Sequence, residues 1–224
     1  MKIIARIYNN FTEKFGIPRQ SGLVGDSFSR IVFEPEYRNP DALRGLEGFS
    51  HIWLIWEFSE AVRDEWSPTV RPPRLGGNER MGVFATRSPF RPNPLGLSCV
   101  RLEKIENDPK DGPVICVSGA DLMNGTPIYD IKPYIAYADA HPDALAGFTG
   151  TREFPEITVE IEPQAAEKLT PAQIRELTGI LKEDPRPAYK RETRKTYRFS
   201  FAGMEVEFYS DGDRICVVGV IPPS

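Results

Sequence analysis

Along the chain, short apolar runs of strand length alternate with turn-rich segments, and a single stretch has clear helical periodicity. KIIARIY (Lys2 to Tyr8) reads as a strand rich in β-branched residues. The loop FTEKFGIPRQSGLVG follows, punctuated by Gly16, Pro18, Gly22 and Gly25. FSRIVFE (Phe28 to Glu34) alternates like a half-buried strand. NPDALRGLEG (Asn39 to Gly48) offers an Asn cap, Pro40 at the first helical position and Gly45 near the stop, which predicts one or two helical turns. FSHIWLIWEFSE (Phe49 to Glu60) is almost unbroken in its apolar character and predicts a central strand buried on both faces. MGVFATR, GLSCVRLEKIE and PVICVSGADLM predict three more strands, and TPIYDIKPYI a short one. Six or so strands with few helices predict a mainly β fold, an antiparallel β-barrel or a strongly curved sheet.

The small, polar stretch from Asp139 to Gly150 reads as a linker. Beyond it, TPAQIRELTGILKED carries the helix signature: Thr170 as N-cap, Pro171 at the first helical position, Gln173 completing a capping box, and Ile174, Leu177 and Leu181 as the apolar stripe. Strands follow around TYRFSF, EVEFYS and RICVVGVI, the last two joined by the turn SDGD. The expected organisation is a β-barrel domain over 1–145 and a small α+β domain over 146–224, with no internal repeat.

Composition narrows the function classes. With 224 residues and 40% hydrophobic content, the chain can bury one good-sized core plus a small second unit. Cys99, Cys116 and Cys216 are odd in number, far apart and set in apolar runs, which predicts buried free thiols rather than disulfides or a zinc knuckle. No leader-like or membrane-length apolar run appears, so a cytoplasmic, soluble protein without membrane contact is expected. No GxGxxG follows a strand, and P-loop, HExxH and GxSxG motifs are absent. The two histidines are His51, read as a satisfied core residue, and His141. They cannot build a histidine triad or metal cluster, so no metal is expected.

What remains is charge geography. The formal net charge is −4, so any nucleic acid must meet a local patch. From Trp66 to Arg101 the basic residues are Arg71, Arg74, Arg80, Arg87, Arg91 and Arg101, against one acid, Glu79. A second basic run holds Arg186, Lys190, Arg191, Arg194, Lys195 and Arg198, interrupted by Glu192, and is expected on an exposed loop or strand. Arginine is favoured over lysine where planar, bidentate recognition of phosphate or carboxylate matters. The alternative for each arginine is a loop brace through carbonyl or carboxylate contacts. In TRSPFRPNPLGLSCV, Pro89, Pro92 and Pro94 stiffen the loop that carries Arg87 and Arg91, and Gly96 would let backbone approach a ligand.

FTEKFGIPRQSGLV, GLEGFSHIWLIWEF, PTVRPPRLGGNERMGVFATRSPFRPNPLGLSCVRLEKI, GADLMNGTPIYDIKPYIAYADA and LKEDPRPAY together resemble the TsaA/YaeB family, also called TrmO. The resemblance spans nearly the whole chain. It implies a β-barrel, S-adenosylmethionine-dependent tRNA methyltransferase that acts as a homodimer. It also implies methylation at N6 of threonylcarbamoyladenosine, beside the anticodon of threonine tRNA.

By resemblance the cofactor contacts fall on Pro18, Arg19, Gln20, Ser59, Glu60, Arg87, Leu97, Asp121, Leu122, Met123, Asn124 and Gly125, with Leu97 and Leu122 facing adenine. At Ser59 and Glu60 the chain departs from a His-Gln pair of some relatives, so any contact there runs through backbone atoms. Asp121 and Asn124-Gly125 can equally serve as turn residues. Asp130 and Tyr134 are the candidates to support removal of the N6 proton, with Lys132 near a substrate carboxylate; barrel-rim structure is the alternative for all three. Arg71, Arg74, Arg91, Arg191, Arg194 and Lys195 are expected to contact RNA, at the anticodon loop. Two other classes stay open. One is a non-catalytic S-adenosylmethionine-binding RNA-recognition protein. The other is a small-molecule methyltransferase or hydrolase on the same barrel.

Overall fold

The computed structural model of the chain describes residues 1–62, 65–72, 79–150, 156–186 and 195–222. In chain order the strands are β1 (Ala5–Tyr8), β2 (Phe28–Phe33), β3 (His51–Glu57), β4 (Thr69–Val70), β5 (Met81–Gly82), β6 (Leu95–Asp108), β7 (Gly112–Ser118), β8 (Pro127–Pro133), β9 (Thr158–Ile161), β10 (Thr196–Phe201), β11 (Met204–Asp211) and β12 (Arg214–Ile221). The helices are α1 (Ala136–Asp139), α2 (Pro163–Ala166) and α3 (Pro171–Lys182). Strands β1-β2-β7-β6-β3-β8 close into an antiparallel barrel, and β10-β11-β12-β9 form a second sheet.

The barrel follows from period-two alternation. Ala5, Ile7, Ile31, Phe33, Ile52, Leu54, Trp56, Val100, Ile115, Val117 and Ile128 point inward and fill its core. Closure removes the sheet edges that an open barrel would expose. β3 lies between β6 and β8 as a central strand, but it is not buried on both faces. Its inward residues are buried and its outward ones, His51, Trp53, Ile55 and Glu57, are half-buried. The apolar run is continuous because Trp53 and Ile55 sit on a partly covered outer wall, not in a second core. His51 belongs to that wall too: its Nδ1 lies 2.9 Å from Ser50 Oγ and its ring edges against Tyr134. The thiols divide likewise, with Cys216 buried and Cys99 and Cys116 half-buried.

MGVFATR does not form a full strand. Met81–Gly82 pairs with Thr69–Val70, and Val83–Ala85 then turns in a 3-10 helix, capped as Thr86 N–H and Oγ1 both donate to Val83 O. The helix at Pro171–Lys182 has the predicted capping box: Thr170 Oγ1 accepts from Gln173 N–H and Gln173 Oε1 accepts from Thr170 N–H. Its buried Leu177, Ile180 and Leu181 pack on Phe199, Phe201, Val206 and Phe208 of the second sheet. Strand β9, which carries no strong turn signal before it, pairs in parallel with β12.

The long segment after β1 packs into the second sheet's core and is hydrogen-bonded to the barrel. Phe11 and Val24 are buried in the second sheet's core, and Phe15 and Ile17 pack against it. Gly16 adopts φ +88°, and a Cβ there would lie 2.9 Å from the Phe199 ring. On the barrel side, Gly22 N–H donates to Gly119 O at 2.8 Å, and Asn9 Nδ2 donates to Leu122 O at 2.9 Å.

Gly96 faces inward opposite Trp56, and a Cβ there would lie 2.2 Å from the indole. Protein, not ligand, fills the space that the missing side chain leaves. Gly96→Ala should therefore overpack the barrel and cost about 1–3 kcal/mol in chemical denaturation. A variant with the parent's midpoint and slope would show that the indole gives way freely.

Candidate functional site

The closest cluster of the residues singled out from sequence lies at the rim of the barrel where β3 ends, β6 begins and the loops after β1 and β7 meet. Ser98 is paired with Leu54 on the inner face of β6 and connects the barrel interior to this rim. Trp56 Nε1 donates to Ser98 Oγ at 2.9 Å, and Ser98 Oγ donates to Asp121 Oδ1 at 2.5 Å. Arg87 lies near enough to Asp121 to act on its charge, and the Arg87 guanidinium donates to Gln20 Oε1. Gln20 Nε2 in turn donates to Arg19 O at 2.5 Å. Residues from five separate segments thus converge on one polar cluster.

Asp121 is the electrostatic centre of this cluster. Burial raises its pKa above the ordinary aspartate range. Hydrogen bonds from Ser98 and from the backbone of Asp121 and Ser21, together with the Arg87 charge, pull the other way. A carboxylate in such surroundings interacts more strongly with a donor than one in water does. Ser98 was not singled out from sequence. Its only signal there is a polar residue at an inward position of an alternating strand.

The other candidates divide. Pro18 is buried and Arg19 half-buried, and the Arg19 guanidinium donates to Asp184 O at 2.8 Å. Ser59 and Glu60 are exposed just beyond β3, and Glu60 is met by Lys14 Nζ at 3.4 Å. Leu97 lies on the outer barrel wall opposite Ile55, 57% exposed, so it faces away from the interior. The Leu122 side chain is completely buried in the barrel core, and its carbonyl accepts from Asn9. Asn124 and Gly125 tie the loop down. Asn124 Oδ1 accepts from Asn9 N–H, Asn124 N–H donates to Phe11 O, and Gly125 N–H donates to Ile7 O. Met123 is half-buried, and its carbonyl accepts from Thr126 N–H.

Asp130, Lys132 and Tyr134 gather on the outer wall of β8 and just past it. Asp130 and Lys132 form an exposed ion pair at 3.0 Å, opposite Ile55 and Trp53, while Tyr134 rests on Trp53 and His51. Beside them, a register shift between Ile55 and Trp56 accompanies Tyr129, whose hydroxyl donates to Glu57 at 2.5 Å. That bond pushes the phenol up to about 12, so Tyr129 serves as a donor and not as a base at neutral pH.

Among the RNA candidates, Arg91 braces its own loop. Its Nη1 donates to Thr86 O at 2.9 Å and its guanidinium lies 5.9 Å from the Phe84 ring, which stacks on Trp66. Arg71 and Lys195 are exposed. Arg74, Lys190, Arg191 and Arg194 lie outside the described residues. Arg186 departs from the expected exposed run. It is 4% exposed and held by Asp184 and Ser210, because the Asp two residues earlier supplies a carboxylate at the right reach. A surface concavity of about 280 Å³, lined by Glu160, Tyr209, Arg214 and Cys216, lies on the second sheet. Its Arg214 already donates to Glu160. Among the described residues no group of acids, histidines and cysteines is arranged to hold a metal, and no helix is long and apolar enough to cross a membrane.

Two family models match the chain. The one described as tRNA-methyltransferase O N-terminal domain matches residues 6–140, and the TrmO C-terminal domain matches residues 155–223. A tRNA (adenine(37)-N6)-methyltransferase of Escherichia coli K12 is 45% identical over 202 residues, covering 87% of this chain and 86% of that protein. A Pseudomonas aeruginosa protein, named as a candidate S-adenosylmethionine-dependent methyltransferase, is 40% identical over 226 residues, covering 97% of this chain and 95% of its own. A crystal structure of TrmO from Pseudomonas aeruginosa superposes with a TM-score of 0.80 at 34% identity, covering 99% of this chain and 95% of that one.

The raised pKa of Asp121 has a stability consequence. Its proton is held more tightly in the folded chain than in the unfolded one, so ionisation costs stability. That cost is absent below the ordinary aspartate range and complete above the raised value. Asp121→Asn should thus raise the unfolding midpoint at neutral pH, with the gain shrinking as pH falls toward about 4. A gain that stays constant across thermal melts over this range would show that burial does not strain the carboxylate.

Proposed function

The chain belongs to the tRNA-methyltransferase O (TrmO) family, and on that premise we propose that it is an S-adenosylmethionine-dependent tRNA methyltransferase acting on N6 of adenine 37. The observation that carries this is the likeness to the Escherichia coli tRNA (adenine(37)-N6)-methyltransferase, which runs through both sheets and not the barrel alone.

The rim cluster suits the cofactor in charge and polarity. Asp121 offers an acceptor for a hydroxyl or an ammonium group, and Arg87 a planar donor for a carboxylate. Gln20 and the backbone of the loop after β1 add neutral donors and acceptors. When bound, S-adenosylmethionine supplies a methyl group on a positively charged sulfur. The chain's own task is to hold the acceptor nitrogen in line and to exclude other orientations, since alignment is the first requirement of a displacement. A cluster fixed by Trp56, Ser98 and Gln20 before any ligand arrives serves that task without reorganising.

At a finer level, we propose that the acceptor is threonylcarbamoyladenosine in threonine tRNA. The carbamoyl group makes the N6–H more acidic and the nitrogen a weaker nucleophile. Asp130 and Tyr134 are the proposed groups that support loss of that proton, with Lys132 meeting the threonyl carboxylate. Arg71, Arg74, Arg91, Arg191, Arg194 and Lys195 are the proposed phosphate contacts around the anticodon loop, positioning the RNA without reading its sequence. We assign 1–145 to cofactor and chemistry and 146–224 to tRNA contact. A second copy of the chain is the proposed neighbour for the outer wall where Leu97 stands 57% exposed, and the cytoplasm, where tRNA is modified, the proposed compartment.

The test is methyl transfer from S-adenosylmethionine, on metal-stripped protein, to tRNA from cells lacking this protein, with nucleosides read by mass analysis. A gain of one methyl group on the N6-modified adenosine at position 37 is expected. Arg87→Lys should reduce the rate more than loss of charge explains, because the flat guanidinium fork is lost. Cofactor binding without transfer in a single turnover would leave a non-catalytic RNA-binding protein instead.

A further inference from the structure

The motif DPR at Asp184 to Arg186 finds no use in the chemistry above, yet it is the most tightly built polar feature of the second unit. Asp184 and Arg186 are 7% and 4% exposed. Arg186 Nε donates to Asp184 Oδ1 at 2.6 Å and its Nη2 to Asp184 Oδ2 at 3.0 Å, a bidentate fork. The remaining Nη1 donates to Ser210 Oγ on β11, so the fork is fastened to the second sheet. Asp184 also sits at φ +45°, a left-handed conformation unusual for a residue other than glycine. Such a conformation persists only where its surroundings over-determine it.

The strained turn points the Asp184 carbonyl at Arg19, whose Nη2 donates to it at 2.8 Å. From there the bonds run on without a break. Gln20 Nε2 donates to Arg19 O at 2.5 Å, and Arg87 donates to Gln20 Oε1, beside Asp121. One hydrogen-bonded chain thus joins Ser210 on the second sheet to the rim cluster of the barrel.

We propose that the buried Asp184–Arg186 pair is a positioning device for the cofactor site: it fixes the Asp184 carbonyl, which holds Arg19 and thereby sets where Gln20 and Arg87 stand. This rests on the reading of the rim cluster as the cofactor site. The second unit then does more than touch RNA, because the cofactor loop is incomplete without it. Arg186 never meets the cofactor and acts through Arg19.

The test is S-adenosylmethionine titration by calorimetry on the full chain, with Arg186→Lys, Arg19→Ala and the double variant. Lysine keeps the charge and loses the fork. Arg186→Lys should weaken binding roughly tenfold, the scale on which a hydrogen bond to a charged group acts. The double variant should bind no more weakly than Arg19→Ala alone, since both act through one link. A general loss of stability would not give that non-additivity. Arg214→Ala, on the far face of the same sheet, should keep the parent's affinity. Parent affinity in a cooperatively folded Arg186→Lys, or strictly additive losses, would overturn the proposal. If Arg186→Lys fails to fold, Ser210→Ala carries the test: weaker binding supports the device and unchanged binding overturns it. A parent that does not bind S-adenosylmethionine would instead remove the rim cluster as the cofactor site.

Discussion

The segment between β1 and β2 has to pack into the second sheet's core while staying hydrogen-bonded to the barrel. Phe11 and Val24 are buried against α3 and the second sheet, and Phe15 meets the rings of Phe199 and Phe208. The same segment is tied to the barrel through Asn9 and Gly22. Gly16 is the residue that allows it, because a side chain there would run into Phe199. Pro18 to Ser21 is therefore a short loop with both ends pinned. Much of the conformational entropy that a free loop would lose on binding a ligand is lost already on folding.

Polar groups complete what the apolar contacts begin. Across the same junction Asn10 Nδ2 donates to Glu176 Oε2 at 2.9 Å, and burial is the main cause that raises the Glu176 pKa. A buried carboxyl at Glu176, a half-buried one at Asp121 and a buried ion pair at Asp184–Arg186 are costly unless their hydrogen bonds are made. The arginines at the barrel rim are accordingly not loose positive charges. Arg19 and Arg87 are donors already aimed by Asp184 and Gln20.

The barrel was largely legible because each of its strands carries its own alternation and turn signals, and so was the capping box of α3. Less legible were features that depend on distant partners. The short alternation of Ile157, Val159 and Ile161 is a weak strand signal beside the linker, and the parallel partner of β9, β12, lies far along the chain. The apolar density of FSHIWLIWEF suggested two buried faces, because sequence does not separate a half-covered outer wall from a core. The structure places Gln20, Arg87 and Asp121, three residues the resemblance named, beside one another. The resemblance could not show that Leu122 is consumed by the core or that Gly96 makes room for Trp56. Arg186 read as one more surface cation, although Asp184 two residues before it was the available clue to burial.

These features make one claim together: the proposed cofactor site is built on a loop held between the barrel and the second sheet. Hydrogen exchange followed by mass spectrometry, with and without S-adenosylhomocysteine, tests it directly. The account predicts slowed exchange in peptides spanning 17–22, 86–91 and 119–123, with α3 already protected in the free protein. Protection confined to the second sheet around Glu160 and Arg214, with the loop after β1 unchanged, would contradict it.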